Sequence, residues 1–294
     1  MVATLCLAIP PLLAATPFDP DLARAVQDVS CFDFRAAYPT FAAVMNAAPT
    51  GSPVWAQATY GTAVCAQHIM PATRQLITES ESLYRLLLAH APDSPYAPRA
   101  LLNLGRIREL SDYYTDACDP AGARDCYRQV IQRWPALPIA GEATLRLAGT
   151  FIQTFDATQA LLGVTILESW LAQHPRDELA SAMWQYLGDT CFIPLGDYAK
   201  ALACYRNADQ LGLLLFTRAG QCYWRMAVLA DRYLTNRAAA VEYYTKLITT
   251  APSCGKACEA QAALKRLGAP VPETALFDAM KTAAPARANQ PETP

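Results

Sequence analysis

The chain has 294 residues, 53% of them hydrophobic and 17% charged, which is enough apolar material to bury a sizeable core. With 24 basic against 26 acidic residues the formal net charge is −2, and no run of Lys and Arg occurs, so the electrostatic footprint of a nucleic-acid binder is absent. Ten cysteines point to an oxidising compartment, because a reducing one gives no reason to accumulate them.

Residues 1–15, MVATLCLAIPPLLAA, combine an apolar run with small residues at Ala14 and Ala15 and read as a secretory signal peptide cleaved near Ala15, although the first basic residue is Arg24. The run is too short to cross a bilayer, and Pro10-Pro11 breaks a helix there. An apolar first helix of a cytosolic protein is the alternative. Cys6 follows Thr4-Leu5 where a lipid-attachment signal has small residues, so no lipid anchor is read from it. Nine cysteines remain if Cys6 leaves with the signal, and at least two disulfides are expected, with their pairing open.

Residues 16–73 form an N-terminal segment of helices, a degenerate repeat or a cap. The spacing predicts two helices between 18 and 48, with Asp19 as the cap, Pro20 just inside the first and Tyr38-Pro39 as the corner between them. A third helix is predicted from Ser52 to Pro71 and a fourth from Thr73 to Ala89.

From residue 74 to residue 268 one ladder repeats. Tyr84, Leu87, Pro92, Ala97, Ala100, Leu104 and Gly105 keep the same offsets as Tyr127, Val130, Pro135, Ala140, Ala143, Leu147 and Ala148. They recur as Leu167, Trp170, Pro175, Ala180, Met183, Leu187 and Gly188, and as Tyr244, Leu247, Pro252, Ala257, Ala260 and Leu264. Each proline ends one helix and stands before the next, and apolar spacings of three and four on both sides describe amphipathic helices with one buried stripe. Small residues let the two backbones approach closely. Phase-locked copies of a helix pair predict a stack. Lengthened loops are expected at Tyr114 to Asp119, Asp156 to Thr158 and Tyr233 to Arg237.

Trp184-x2-Leu187-Gly188-x2-Cys191, followed by Gly196-Asp197-Tyr198-x2-Ala201-x3-Tyr205-x2-Ala208, resembles the tetratricopeptide repeat, with Cys191 in place of the usual tyrosine. Phe216-x2-Ala219-Gly220-x2-Tyr223 with Ala240-x3-Tyr244 and Leu101-x2-Leu104-Gly105-x2-Arg108 with Ala123-x3-Tyr127 repeat the pattern. A weaker unit is Thr144-x2-Leu147-Ala148-x2-Phe151 with Gly163-x3-Leu167. The anchors Gly105, Ala148, Gly188 and Gly220 stand 43, 40 and 32 residues apart, so the period varies. The long corner in HAPDSPYAPRA, His90 to Ala100, is similar to that of exported bacterial repeat proteins of the outer-membrane-assembly and Tol-Pal accessory type. The resemblance implies an all-α fold, a right-handed superhelical solenoid of antiparallel helix pairs. It also implies a non-catalytic scaffold or adaptor in the periplasm, peripherally associated with the cell envelope, that binds an unknown protein or peptide in its concave groove. An accessory module of an envelope enzyme complex and a cytosolic regulatory repeat protein are the alternatives.

Residues 269–294 carry five prolines among Ala, Thr and Glu and read as a disordered tail, with Ala275 to Met280 as its one apolar patch. No catalytic pattern, cofactor or metal site is read. His68, His90 and His174 sit at predicted helix ends. Cys254 and Cys258, four apart on a predicted helix, lack the further ligands that zinc requires.

The groove is placed by helical geometry. If Trp184, Leu187, Gly188 and Cys191 face the stack, then Gln185, Asp189 and Phe192 turn toward the groove. The same reasoning selects Arg99, Leu102 and Arg106 in the first unit, Leu145 and Ile152 in the second, and Gln221 and Trp224 in the last, with Tyr223 in the buried place beside Trp224. Leu102, Leu145, Ile152, Phe192 and Trp224 are expected to form an apolar track. The carboxylate clamp of chaperone-binding family members does not carry over, because Leu102, Asn103 and Arg106, then Leu145, Arg146 and Gly149, occupy its places.

Overall fold

A computed structural model describes residues 18–110, 118–212 and 216–273. The expected signal peptide, residues 114–117 of the first expected loop and the tail from residue 274 onward lie outside the described residues. Those described form thirteen α-helices and no strand. In chain order the first seven are α1 (Asp19–Ser30), α2 (Phe34–Ala47), α3 (Pro53–His68), α4 (Arg74–His90), α5 (Ala97–Glu109), α6 (Pro120–Arg133) and α7 (Pro138–Ile152). Then come α8 (Ala157–Gln173), α9 (Ala180–Phe192), α10 (Tyr198–Gln210), α11 (Phe216–Val228), α12 (Arg237–Thr250) and α13 (Ala257–Arg266). A π-helical segment, Leu229–Tyr233, continues α11.

The chain divides into two compact units, Met1–Phe151 and Ile152–Pro294. In the first, each helix from α1 to α5 packs on its successor. Its centre is α3, in which every residue from Val54 to Ala66 is buried. Small side chains there let neighbours close in: a Cβ on Gly61 would stand 2.6 Å from the Phe41 ring. Thr62 Oγ1 donates to the Ala58 carbonyl at 2.8 Å within α3, Ser80 Oγ of α4 donates to that of Ala63 at 2.8 Å, and Gln57 Oε1 and Thr59 Oγ1 are buried without a partner among the described residues.

The expected corner at Tyr38-Pro39 is not there. Pro39 lies inside α2, and the chain turns instead at Phe32, which has φ 62°, before Asp33 caps the helix by accepting from Ala36 N–H. A proline this near a helix start forfeits one hydrogen bond, and the buried Ala37, Phe41 and Val44 on one face outweigh it. Helix α1 does begin at Asp19 with Pro20 in its first turn, but Phe18 holds the cap position and no side chain caps it.

The ladder prolines act as expected. α4, α6, α8 and α12 all end two residues before one, with cap residues Ala91, Trp134, His174 and Ala251 between at φ of −141°, −133°, −129° and −138°. These cap N–H groups donate to the carbonyls of Leu87, Val130, Trp170 and Leu247, which are ladder residues, so four corners share one local geometry. The glycines have a physical reason as well. A Cβ on Gly105 would lie 2.6 Å from the Tyr127 ring, and one on Gly188 would lie 2.6 Å from that of Tyr205. At Gly220 the close neighbours are Ala251 and Cys254, in the turn that follows α12.

Within the second unit α8 packs on α9, α9 on α10, α11 on α12 and α12 on α13, around a core that includes Tyr205, Met226, Tyr244, Leu247 and Leu264. The loop expected at Asp156 is shorter than predicted, because Asp156 caps α8 by accepting from Gln159 N–H and the helix starts at Ala157. The stretch expected as a loop from Tyr233 is preceded by the π-helical turn, closed by Leu234 N–H to the Leu229 carbonyl at 3.0 Å, and Asn236 then caps α12. Cys254 is not helical: α13 starts only at Ala257, so Cys254 lies in the turn and Cys258 on the helix.

Candidate interaction faces

Four buried tyrosines of the second helices carry a polar device. Tyr84, Tyr127, Tyr205 and Tyr244 donate their hydroxyls to Gln67, Glu109, Asp189 and Asp231, each in the helical segment just before the tyrosine's own. Burial and the adjacent carboxylates push the last three phenols up, that of Tyr244 to about 12. Each acceptor thereby becomes part of the helix-pair contact and also an anchor for the face beside it.

In the first unit that face lies on α5 and α7. Arg99 Nη1 pairs with Glu142 Oε2 at 2.8 Å, and Arg146 lies between Glu142 (3.5 Å) and Glu109 (3.6 Å). Tyr127 completes the network by donating to Glu109 at 2.5 Å. The arginine predicted to flank a partner at 99 is thus already matched by a carboxylate from the next helix pair. Arg106 is 7% exposed, with Nη1 toward Asn103 Oδ1 at 3.5 Å. Leu102 is 0% exposed and Ile152, where the second unit begins, 7%, so neither offers apolar surface; Leu145 is half-buried. The expected track is therefore interrupted, because α5 is covered on nearly every side from Ala97 to Ile107.

In the second unit the register of α9 follows expectation at Met183, Leu187, Gly188 and Cys191, which are buried, while Trp184 is half-buried. Asp189 receives both the Tyr205 hydroxyl and the Arg225 guanidinium of α11. Gln185 donates to Ser181 at 3.4 Å, and Gln221 is exposed. Phe192 is half-buried in an aromatic group with Tyr198 (6.1 Å) and Tyr233 (5.8 Å). On α11 the buried places belong to Cys222 and Met226, not to Tyr223, which is half-buried with its hydroxyl on Asp209 at 2.7 Å. Trp224 beside it is half-buried too, 5.7 Å from the Tyr244 ring and with Lys256 Nζ 5.4 Å from its own.

Sequence reasoning missed the cluster joining α10, α11 and α12, in which Lys246 pairs with Asp209 at 2.8 Å and Arg206 donates to the Tyr243 hydroxyl at 3.0 Å. Only the Glu242–Lys246 pair, four apart at 3.4 Å, was visible in one dimension. The histidines are packing groups: His68 stacks on Phe34 (5.0 Å) and His174 on Trp170 (3.9 Å), and His90 meets the Trp55 ring edge (6.0 Å). Burial, with the Arg106 charge adding, holds His68 below the ordinary imidazole value. Among the described residues no group of His, Cys, Asp and Glu could hold a metal ion, and no helix is long and apolar enough to cross a membrane.

No family model and no curated protein matches this chain. Solved structures do. The C-terminal part of a TPR repeat-containing protein from Cytophaga hutchinsonii is 15% identical, with a TM-score of 0.58 over 82% of this chain and 83% of that one. PilF of Pseudomonas aeruginosa is 17% identical, with a TM-score of 0.54 over 84% of this chain and 97% of its own. PilW, described as a widely conserved type IV pilus biogenesis factor, is 17% identical, with a TM-score of 0.54 over 84% of this chain and 99% of its own. The fold is that of tetratricopeptide-repeat proteins.

Proposed function

We propose that this chain is a non-catalytic scaffold or adaptor of the cell envelope, exported to the periplasm, which holds a peptide or protein against the first helices of its pairs. The repeat fold supports an interaction role, and the likeness to PilW, a type IV pilus biogenesis factor, supports an envelope setting. The observation that carries the binding proposal is Trp224. Its large ring is half-exposed on α11, backed by Tyr244, and has a lysine beside it, which is how an aromatic anchor meets a partner with little ordering cost. Phe192 is the second apolar contact of that unit, with Gln185, Asp189 and Gln221 as polar neighbours on the first helices. In the other unit Leu145 is the contact, with Arg99 and Arg106 supporting it from the wall, while Leu102 is buried; Ile152, where the second unit begins, is buried too.

Aromatic anchors typically contribute ~2 kcal/mol or more on truncation, and 1.4 kcal/mol is tenfold in affinity. Trp224→Ala should therefore weaken capture of the partner from envelope extract by about 30-fold, with helical content unchanged by circular dichroism. Unchanged capture by a folded Trp224→Ala, Phe192→Ala double variant would place the binding site elsewhere. A captured envelope enzyme would favour the accessory-module reading. Export is tested separately, by the intact mass of protein from fractionated cells. A chain shortened at about Ala15 in the periplasmic fraction is expected, and a full-length chain confined to the cytosol overturns the envelope assignment.

A further inference from the structure

An apolar patch stands where the α9–α10 turn meets the π-helical end of α11. Phe192, which closes α9, Tyr198, which opens α10, and Tyr233, which ends the π-helical segment, meet ring to ring. Their centroids are 6.1 Å apart for Phe192 and Tyr198, 5.8 Å for Phe192 and Tyr233, and 4.2 Å for Tyr198 and Tyr233. The group is not closed over, since Tyr233 is 47% exposed and Ile193, next to Phe192, 69%.

The end of α13 is fastened to the same end of the second unit. Arg237, in the first turn of α12, donates from Nε at 3.0 Å and from Nη2 at 2.5 Å to the Leu267 carbonyl. Arg266 pairs with Asp231 of the π-helical segment. Gly268, at φ 63°, then reverses the chain, and Ala269 N–H bonds the Leu264 carbonyl at 2.9 Å. Ala269 and Val271 pack on the core of the unit, so the chain is held against it almost to Glu273. Residues 274–294, outside the described residues, have only three large apolar side chains, and all of them fall at the start: Leu276, Phe277 and Met280.

We propose that the segment Ala275–Met280 docks within its own chain on the patch of Phe192, Ile193, Tyr198 and Tyr233. The reach is sufficient. Phe277 lies four residues beyond Glu273 and Met280 seven, which is up to about 13 Å and 23 Å of extended chain, against roughly 8–10 Å between packed helices. Tethering selects this occupant over a second copy, because a segment fixed beside its site is present at an effective concentration on the order of millimolar. Charge agrees as well: Arg232, exposed next to Tyr233, offers a cation to Asp278, which stands between Phe277 and Met280. The contact is independent of the partner reading above, but a partner that uses Phe192 has to displace the segment.

The test uses the full chain with p-benzoylphenylalanine in place of Phe277, irradiated at high dilution, separated by size and digested with trypsin. Cleavage after Arg266 and Lys281 puts position 277 in peptide 267–281, and the patch falls in peptides 177–200 and 233–237. Monomer in which 267–281 is joined to 177–200 or to 233–237 is expected. Monomer without a link, links to other peptides, or linked dimers, which would make a second copy the occupant, would overturn the proposal. Hydrogen exchange supplies a readout on the unaltered chain: the amides of residues 276–280 should exchange about tenfold faster in an Ile193→Ser, Tyr233→Ala double variant, since docking protects them. Equal exchange in the two chains would also overturn it, and because both substituted side chains are largely exposed, circular dichroism of the variant should be unchanged.

Discussion

Replacing Gly188 by leucine should lower the melting temperature of the second unit by about 10 °C or more, the loss expected when overpacking costs ~3 kcal/mol in a unit of this size. Even the first added carbon would stand 2.6 Å, 2.7 Å and 2.9 Å from three atoms of the Tyr205 ring. That ring cannot step aside cheaply, because it is 1% exposed and its hydroxyl is held by Asp189, which Arg225 also engages. A leucine would have to part α9 from α10 or break that polar contact. Gly255→Ala is the comparison, since its Cβ would meet nothing within 4 Å, and a change of under about 0.5 kcal/mol is expected there. Gly268, just past the last helix, would serve less well, because its φ of +63° strains any other residue whatever the space. Circular dichroism melts of the two variants decide the matter: equal midpoints would mean that the α9–α10 register is wrong.

The second large effect is expected in the first unit. Glu109 is 8% exposed in its side chain and receives the Tyr127 hydroxyl at 2.5 Å while facing Arg146 at 3.6 Å. Glu109→Ala would leave a buried hydroxyl without its acceptor and a largely buried guanidinium with only Glu142 beside it. Removing one partner from a buried ion pair typically costs ~3–5 kcal/mol, and the shared carboxylate of Glu142 places this case near the lower figure. Glu109→Gln keeps an acceptor for Tyr127 and loses only the charge, so about 1 kcal/mol is expected. Urea denaturation of the two variants distinguishes them. Equal losses would show that the network is solvated and that its geometry contributes little.

Most of the helices were legible in one dimension because they rest on local physics. Proline stops a helix wherever it falls after one, so the ends of α4, α6, α8 and α12 follow from Pro92, Pro135, Pro175 and Pro252. A spacing of three and four marks a buried stripe, so the Tyr–Leu ladder and its small residues emerge from the pattern alone. Where the local rule is weak, packing reversed it. Pro39 was absorbed into α2 by the burial of Ala37, Phe41 and Val44, and Cys254 was left outside α13.

The interaction faces were less legible, for a physical reason. Helical phase tells which way a residue leans, but whether that side is covered depends on helices far away in sequence. Leu102 and Ile152, expected to face the groove, are buried, and Arg99 meets Glu142, 43 residues on, rather than solvent. The sequence by itself determined the repeat and its corners, because the stop at proline and backbone hydrogen bonding act within a few residues, whereas the need for glycine at 105 and 188 comes from the Tyr127 and Tyr205 rings of the helix that follows each. The tertiary structure alone decided which aromatic rings remain exposed and which arginines are neutralised, because those contacts are set by the register of packed helices.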